Sequence, residues 1–399
     1  MAHQGSLASW LLCGTAAAAL AVPTRAARAD DRDRGAVELL TTVPLSAGNH
    51  MVVFDISWVD ADTELFYLAD RSDRAVDVVD AKRNVFVKQI RANFKGFTGS
   101  NDTSGPNGVV VAGHLLFVTD APSRVVAIDL RNDKVVGEVF TGGDDGNRAD
   151  ELAFDPQDRR ILAVNNADSP PFATLIQVDA NGGLHLLKRI TFADATNGAE
   201  QPVWDAQLGK FFLSIPELNG NVKDGAVARI SRDGVLETMF HVADCQPAGL
   251  ALGPNQDLLL GCSVVFDTAG KPWSPSDPNT AAPVQVIMDA RNGAIDRRVA
   301  GVGGSDEVWF NPGDGRYYTA SRANPAGPVL GVIDARSQKL VQVVPTFNTP
   351  SSSPPPRGTA HSVAVDPRND HAIVPLPANN VFPDCLDGCF AVFGVPRDD

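Results

Sequence analysis

The chain contains no G-x-S-x-G elbow, no Walker phosphate loop and no C-x-x-C-H haem-attachment site. Nothing in it therefore indicates a serine nucleophile, a P-loop nucleotide site or covalently attached haem. Long apolar runs are equally scarce. Beyond residue 22 no stretch reaches the roughly 18 apolar residues that a spanning helix needs. Positive charge is in deficit, with 34 Lys and Arg against 48 Asp and Glu and a net charge of −14. An acidic protein repels phosphate backbones, which argues against a nucleic-acid partner.

The start of the chain reads as a leader. An apolar stretch runs from Leu7 to Val22, and Ala27-Arg28-Ala29 precedes Asp30-Asp31. This pattern predicts a signal peptide over 1–29, too short and Ala-rich for a membrane span, and one domain over 30–399. The expected product is an exported, soluble protein, periplasmic or secreted, with Arg25 and Arg28 removed and a net charge of 32 − 48 = −16. Of five cysteines, Cys13 falls in the leader. Cys245, Cys262, Cys385 and Cys389 remain, an even number that reads as disulfides in an oxidising compartment. Cys245 precedes the first strand of the fifth repeat and Cys262 ends its second, so the two face each other across a hairpin. Cys385 and Cys389 then close a small loop.

What the chain has in abundance is repetition. A turn leads into an apolar run, a second apolar run ends on a polar residue, and a third ends near "ID" or "VD". The unit opens at Phe54, Asn107, Asp150, Gln201, Ala248, Asp306 and His361. The spacings are 53, 43, 51, 47, 58 and 55 residues. About four short strands in roughly 40–50 residues is the period of a propeller blade. The expected fold is all-β, a seven-bladed β-propeller. The seventh repeat lacks a fourth strand, and segment 37–43 precedes the first repeat without a partner. The prediction is that this N-terminal strand completes the last blade and closes the ring. The low-complexity run 351–356 falls between repeats six and seven.

Stretches such as "VVAIDL…DKVVGEV", "LGVIDARSQKLVQVV", "NRADELAFDP" and "AHSVAVDP" resemble the YVTN-type β-propeller repeat proteins, in particular the periplasmic YncE-like family. The resemblance spans nearly the whole mature chain and implies the fold. A looser similarity, carried by Pro106-Asn107-Gly108, is to gluconolactonase-type and paraoxonase-type propellers. Those hold one divalent cation at the channel mouth through Glu, Asn and Asp, although this chain has seven repeats rather than six.

The starts of the inner strands and the ends of the second strands meet at one end of a propeller. That end should gather Asp55, Asn107, Asp150, Glu151, Gln201, Asp306, Glu307 and His361, with Asp70, Asp120, Asn165, Asn166, Glu217, Ser263 and Arg322. Asp and Asn there also serve as ordinary turn residues. Glu151 and Glu307 are poor turn formers, and crowded carboxylates need a cation or arginine beside them. Asp150, Glu151, Glu217, Asp306 and Glu307 are therefore the expected ligands of a divalent cation, foremost Ca²⁺. His50 and His361, on connections that become neighbours when the ring closes, are the alternative for Zn²⁺ or Cu²⁺. Asn107, Asn165, Arg322 and His361 are expected to contact a small ligand. Trp273, at the tip of the long loop 266–283, is expected to cover it.

Two functions follow. The first is a binding or scaffold protein for a small molecule or cation at the channel mouth, monomeric, with a periplasmic protein partner as a further expectation. The second is a metal-dependent lactonase or ester hydrolase in which Glu151 or Glu307 activates water. A redox accessory or metal carrier using the two histidines stands third.

Overall fold

The computed structural model describes Met1 and residues 35–144, 146–346, 360–378 and 383–396. The expected leader, Cys13 and the run 351–356 lie outside the described residues. The unit Gly35–Asp399 is all-β and forms a seven-bladed β-propeller. Six blades are four-stranded antiparallel sheets whose strands pair in chain order from the axis outward, with a short two-stranded sheet, Phe266–Asp267 with Ala281–Ala282, inserted between the second and third strands of blade five. Their inner strands are Phe54–Asp60, Val109–Ala112, Leu152–Asp155, Pro202–Asp205, Pro247–Leu252 and Val308–Asn311.

Blade seven closes the ring as the repeat count predicts. Its inner strand is Ala364–Asp366, followed by His371–Leu376 and Cys389–Gly394. The outermost strand is the N-terminal Glu38–Pro44, which pairs antiparallel with Cys389–Gly394. Just before it, Val37 exchanges two 2.8 Å hydrogen bonds with the Gln342 amide on the outer strand of blade six.

Strand position dictates composition. The middle strands are covered on both faces by neighbouring blades, so Arg124–Asp129 (RVVAID) is buried along its whole length. The outer strand Lys134–Phe140 is mostly exposed and carries charge. An Asp or Asn ends five of the seven inner strands and closes the next hairpin. Oδ1 of Asp155, Asp205, Asn311 and Asp366 accepts the backbone N–H two residues on, at 2.8–3.0 Å. Asn132-Asp133 turns the chain between the third and fourth strands of blade two, with the Asp133 N–H on the Asp129 carbonyl at 2.8 Å.

Near the axis the inner strands crowd together, and two glycines make the approach possible. A Cβ on Gly108 would lie 2.7 Å from the Asp150 carbonyl oxygen. One on Gly249 would lie 2.5 Å from that of Asp306. The Gly108 N–H instead donates to the Asp150 carbonyl at 2.9 Å.

Both expected disulfides are present, Cys245–Cys262 and Cys385–Cys389, with Cα separations of 5.0 and 4.9 Å. The first fastens the start of blade five's inner strand to the end of its neighbour. Among the described residues no helix is long and apolar enough to cross a membrane.

Ring closure by the N-terminal strand has a measurable consequence. Val37 and Val43 are fully buried, and each contributes about 1.5–3 kcal/mol. In a domain this large each lost kcal/mol lowers the melting midpoint by roughly 1–2 °C. A chain that begins after Pro44 should melt about 3–10 °C below the intact protein and leave an open sheet edge. Equal midpoints in calorimetry would show that the strand adds nothing to the ring.

Candidate functional site

The residue five places before the inner-strand end, or four in blade five, whose strand ends at Leu252, occupies the same level in every blade. These residues are Asp55, Asn107, Asp150, Glu200, Ala248, Asp306 and His361. Only blade five places an apolar side chain there. The propeller thus gathers four acids, an amide and an imidazole around its axis at the strand-start end, as expected. It also brings two arginines that neutralise them. Arg71 follows the second strand of blade one, and Arg148 leads into blade three.

The side chains form one buried network. Arg71 donates to the Asp55 carboxylate in a very short contact, and to Asn107 Oδ1 through Nε at 3.0 Å and NH2 at 2.8 Å. Arg148 holds Asp150 at 2.9 Å and reaches across to Asp55 at 3.6 Å. His361 bridges two carboxylates, Asp55 through Nε2 at 2.9 Å and Asp306 through Nδ1 at 2.7 Å. Arg322 binds Asp306 from outside at 3.0 Å and lies 2.8 Å from His361 Nδ1. Nδ1 cannot both accept from Arg322 and donate to Asp306. An imidazolium, which donates from both nitrogens, resolves this, with Arg322 served by Asp306. Arg71, Asp55 and Asp150 are 1%, 5% and 3% exposed. The network links blades six, seven, one, two and three and fills the strand-start end of the axis.

Its electrostatics follow from burial and partners. Burial works against a charged His361, but Asp306 and Asp55 outweigh it and raise the imidazole to about 9. Burial would likewise raise Asp306, but Arg322 and His361 hold it down at about 2. Asp55 is held below the usual carboxylate range by Arg71, His361 and Arg148 against the pull of burial. Arg148 is shared with Asp55, so burial keeps Asp150 at about 7. Burial raises Glu200 to about 8, with Asp150 adding to the effect.

One residue further along the strands stand Glu151, Gln201 and Glu307. They form the floor of a cavity of about 620 Å³ that runs down the axis. Its wall is apolar and aromatic, including Trp58, Phe154, Trp204, Trp309 and Phe310. The Trp58 and Trp309 indoles meet edge to face at 5.1 Å. The cavity opens where the inner strands finish, beside the exposed Asp62, Gly113 and Pro156. Its mouth is therefore opposite the end to which the sequence directs attention. Glu307 Oε2 accepts from the Ser362 hydroxyl in a very short contact and from the Val363 N–H at 3.1 Å. Its Oε1 is buried without a hydrogen-bond partner. Burial raises Glu307 to about 8. It also raises Glu151 well above the usual range, reinforced by Asp150, Glu200 and Glu307.

The other expected site residues are dispersed. Glu217 binds Thr196 at 2.8 Å and Gln246 at 3.4 Å, outside the network. Asn165 lies buried among Thr141, Ser123 and Asp168. His50 is exposed and pairs with Asp387 at 3.1 Å, while His361 serves Asp55 and Asp306. Trp273 folds its indole N–H onto the Asp277 carbonyl of its own loop at 3.0 Å. Among the described residues no group of three or more His, Cys, Asp or Glu side chains is arranged to hold a metal ion. A second hollow, polar and about 680 Å³, lies at the strand-start end beside Asp102, Asn166, Asp168 and Glu200.

Arg71, Arg148 and Glu200 were not among the expected site residues. Arg71 did leave a signal, because it sits at the repeat position of Arg322, directly after the second strand. Glu200 aligns with Asp150 and Asp306 once the repeats are registered from the strand-end residues. No protein-family model matches this chain, and no curated protein matches it either.

The ionisation pattern sets the pH dependence of stability. His361 is raised from 6.5 to about 9, so its contribution is complete below about pH 6.5 and is lost as pH rises through 9. Glu307 is raised from 4.5 to about 8, so it too is stabilising only when protonated, and stability falls as pH climbs from 4.5 through 8. Melting midpoints should therefore fall between pH 6 and about 9. Glu307→Gln, which cannot ionise, should lessen the fall below about pH 8, leaving the shares of Asp150 and Glu200, whereas His361→Gln should lessen the part near 9. A midpoint constant over this range would refute the assignment. Arg71→Met, which leaves Asp55 without its principal partner, should cost about 3–5 kcal/mol in denaturant unfolding.

Proposed function

We propose that this propeller is an exported binding protein whose central channel holds a small molecule. The ligand's apolar body lies against the aromatic wall and its polar end meets the floor at Glu151 and Glu307. The observation that carries the reading is the cavity itself. At about 620 Å³ it falls within the roughly 300–1,000 Å³ of small-molecule sites. It has their composition too, an apolar lining with a few convergent polar groups at one end. The two disulfides and the similarity to YncE-like repeats support export. The hydrolase reading draws no comparable support. Two of its proposed ligands, Asp150 and Asp306, already serve Arg148, His361 and Arg322.

Three of the five tryptophans line the channel, so intrinsic fluorescence reports on it directly. Small compounds with an apolar body should change that emission. They should also raise the melting midpoint through a stabilisation of about 2.7 kcal/mol at a hundredfold excess over Kd. Leu252→Trp, which narrows the wall at a half-buried position, should remove both responses and leave the fold intact. Responses that survive this substitution would place the ligand elsewhere and overturn the proposal.

A further inference from the structure

Every titratable side chain on the channel wall is an acid. Asp60 and Asp62 stand at the mouth, Glu151 and Glu307 at the floor, and among the described residues no Lys, Arg or His lines the cavity. The cations of the strand-start end are already engaged, Arg71 and Arg148 by Asp55 and Asp150 and His361 by Asp55 and Asp306. Glu307 keeps one buried oxygen without a partner. Between mouth and floor lie the indoles of Trp58, Trp204 and Trp309. Indole faces are the side-chain surfaces that attract cations most strongly.

From this distribution we propose that the channel takes an organic ammonium ion with an apolar body. Its nitrogen sits against Glu307 and Glu151, and its hydrocarbon lies along Trp58, Trp309 and Phe154. The inference rests on the channel-binding reading above and names the ligand class. An anion would face carboxyl groups with no counter-charge. A neutral molecule would leave the wall's uniform sign unused.

The floor's ionisation adds a proton to the reaction. When the channel is empty, burial keeps the Glu307 carboxyl protonated at neutral pH. Besides burial, the groups acting on Glu307 are Ser362, the Val363 N–H, His361 and the Ser57 backbone. Those acting on Glu151 include Asp150, Glu200, Glu307 and Asp55. An arriving ammonium ion stabilises the carboxylate. The carboxyl O–H bond breaks, its proton leaves to water, and the carboxylate pairs with the retained N–H donors. One proton released per ligand makes affinity rise about tenfold per pH unit between roughly pH 6 and 8. His361, at about 9, stays charged over most of that window, whereas Asp150 and Glu200 titrate within it. A variant is therefore needed to assign the proton.

The test is calorimetric titration of the full chain with phenethylammonium, phenethyl alcohol and phenylpropionate, at three pH values and in two buffers of different ionisation enthalpy. The ammonium ion should bind with release of close to one proton and tighten about tenfold per pH unit. The alcohol should bind at least about tenfold more weakly, and phenylpropionate not at all. Glu307→Gln should abolish the proton release and the preference for ammonium while still admitting the alcohol. Glu151→Gln is the second variant, and the proton count on the unmodified protein needs neither. Alcohol binding as tight as that of the ammonium ion, or a proton count of zero, would overturn the ammonium assignment and leave the channel reading intact. No heat and no change in tryptophan emission with any of the three would overturn the channel reading itself.

Discussion

Seven strands that converge on one axis must bury whatever side chains stand at the point of convergence, and this constraint governs the molecule. At the strand-start end the converging residues are charged. Isolated carboxylates there would carry a prohibitive desolvation cost. They are tolerable because Arg71, Arg148 and the His361 imidazolium stand among them at hydrogen-bond distance. The network also does mechanical work. Asp55 receives Arg71 from its own blade, Arg148 from across the axis and His361 from the last blade. First and last blades are thereby joined near the axis by an ion pair, as they are joined at the rim by Glu38–Pro44.

A filled end gives the channel its polarity. With the strand-start end occupied by ion pairs, the axial cavity is reached from the opposite end and terminates on Glu151 and Glu307. The two levels differ by one residue along each inner strand, yet their chemistry is opposed. At the first level every carboxylate except Glu200 has a cationic partner. At the second, no cation among the described residues lines the cavity beside the acids, and Glu307 accepts from the Ser362 hydroxyl and the Val363 N–H, with the Ser57 backbone also acting on it.

Much of the fold is legible in the sequence because the blades are local. Most hairpins join neighbours in the chain, an Asp or Asn closes the turn after the inner strand in five of the blades, and both disulfides span short loops. Ring closure is legible for another reason, since a strand without a partner and a blade without a strand have one mutual solution. The site is less legible because its contacts are not local. His361 and Asp55 lie 306 residues apart, and no spacing rule couples Arg148 to blade one. Registering the repeats on Gln201 rather than Glu200 displaces blade four by one position. In a structure where successive side chains face opposite sides, that moves an acid out of view. The direction in which the cavity opens is invisible as well, because it depends on which ring of side chains fills the axis and which leaves it empty.

The network and the floor belong to one electrostatic system. The carboxylates that hold Glu151 protonated, Asp150, Glu200 and Asp55 among them, are members or neighbours of the ion-pair network. A positive charge brought to the floor would relieve the repulsion among these acids and so favour their ionised forms. The more fully they ionise, the stronger their hold on Arg71, Arg148 and His361. Occupancy of the channel and cohesion of the blades would therefore strengthen each other by linkage, with no change of shape required. The same reasoning accounts for an apolar wall between two charged ends. A low-dielectric channel lets a charge at the floor be felt by the network one residue beyond it, where water would have screened it.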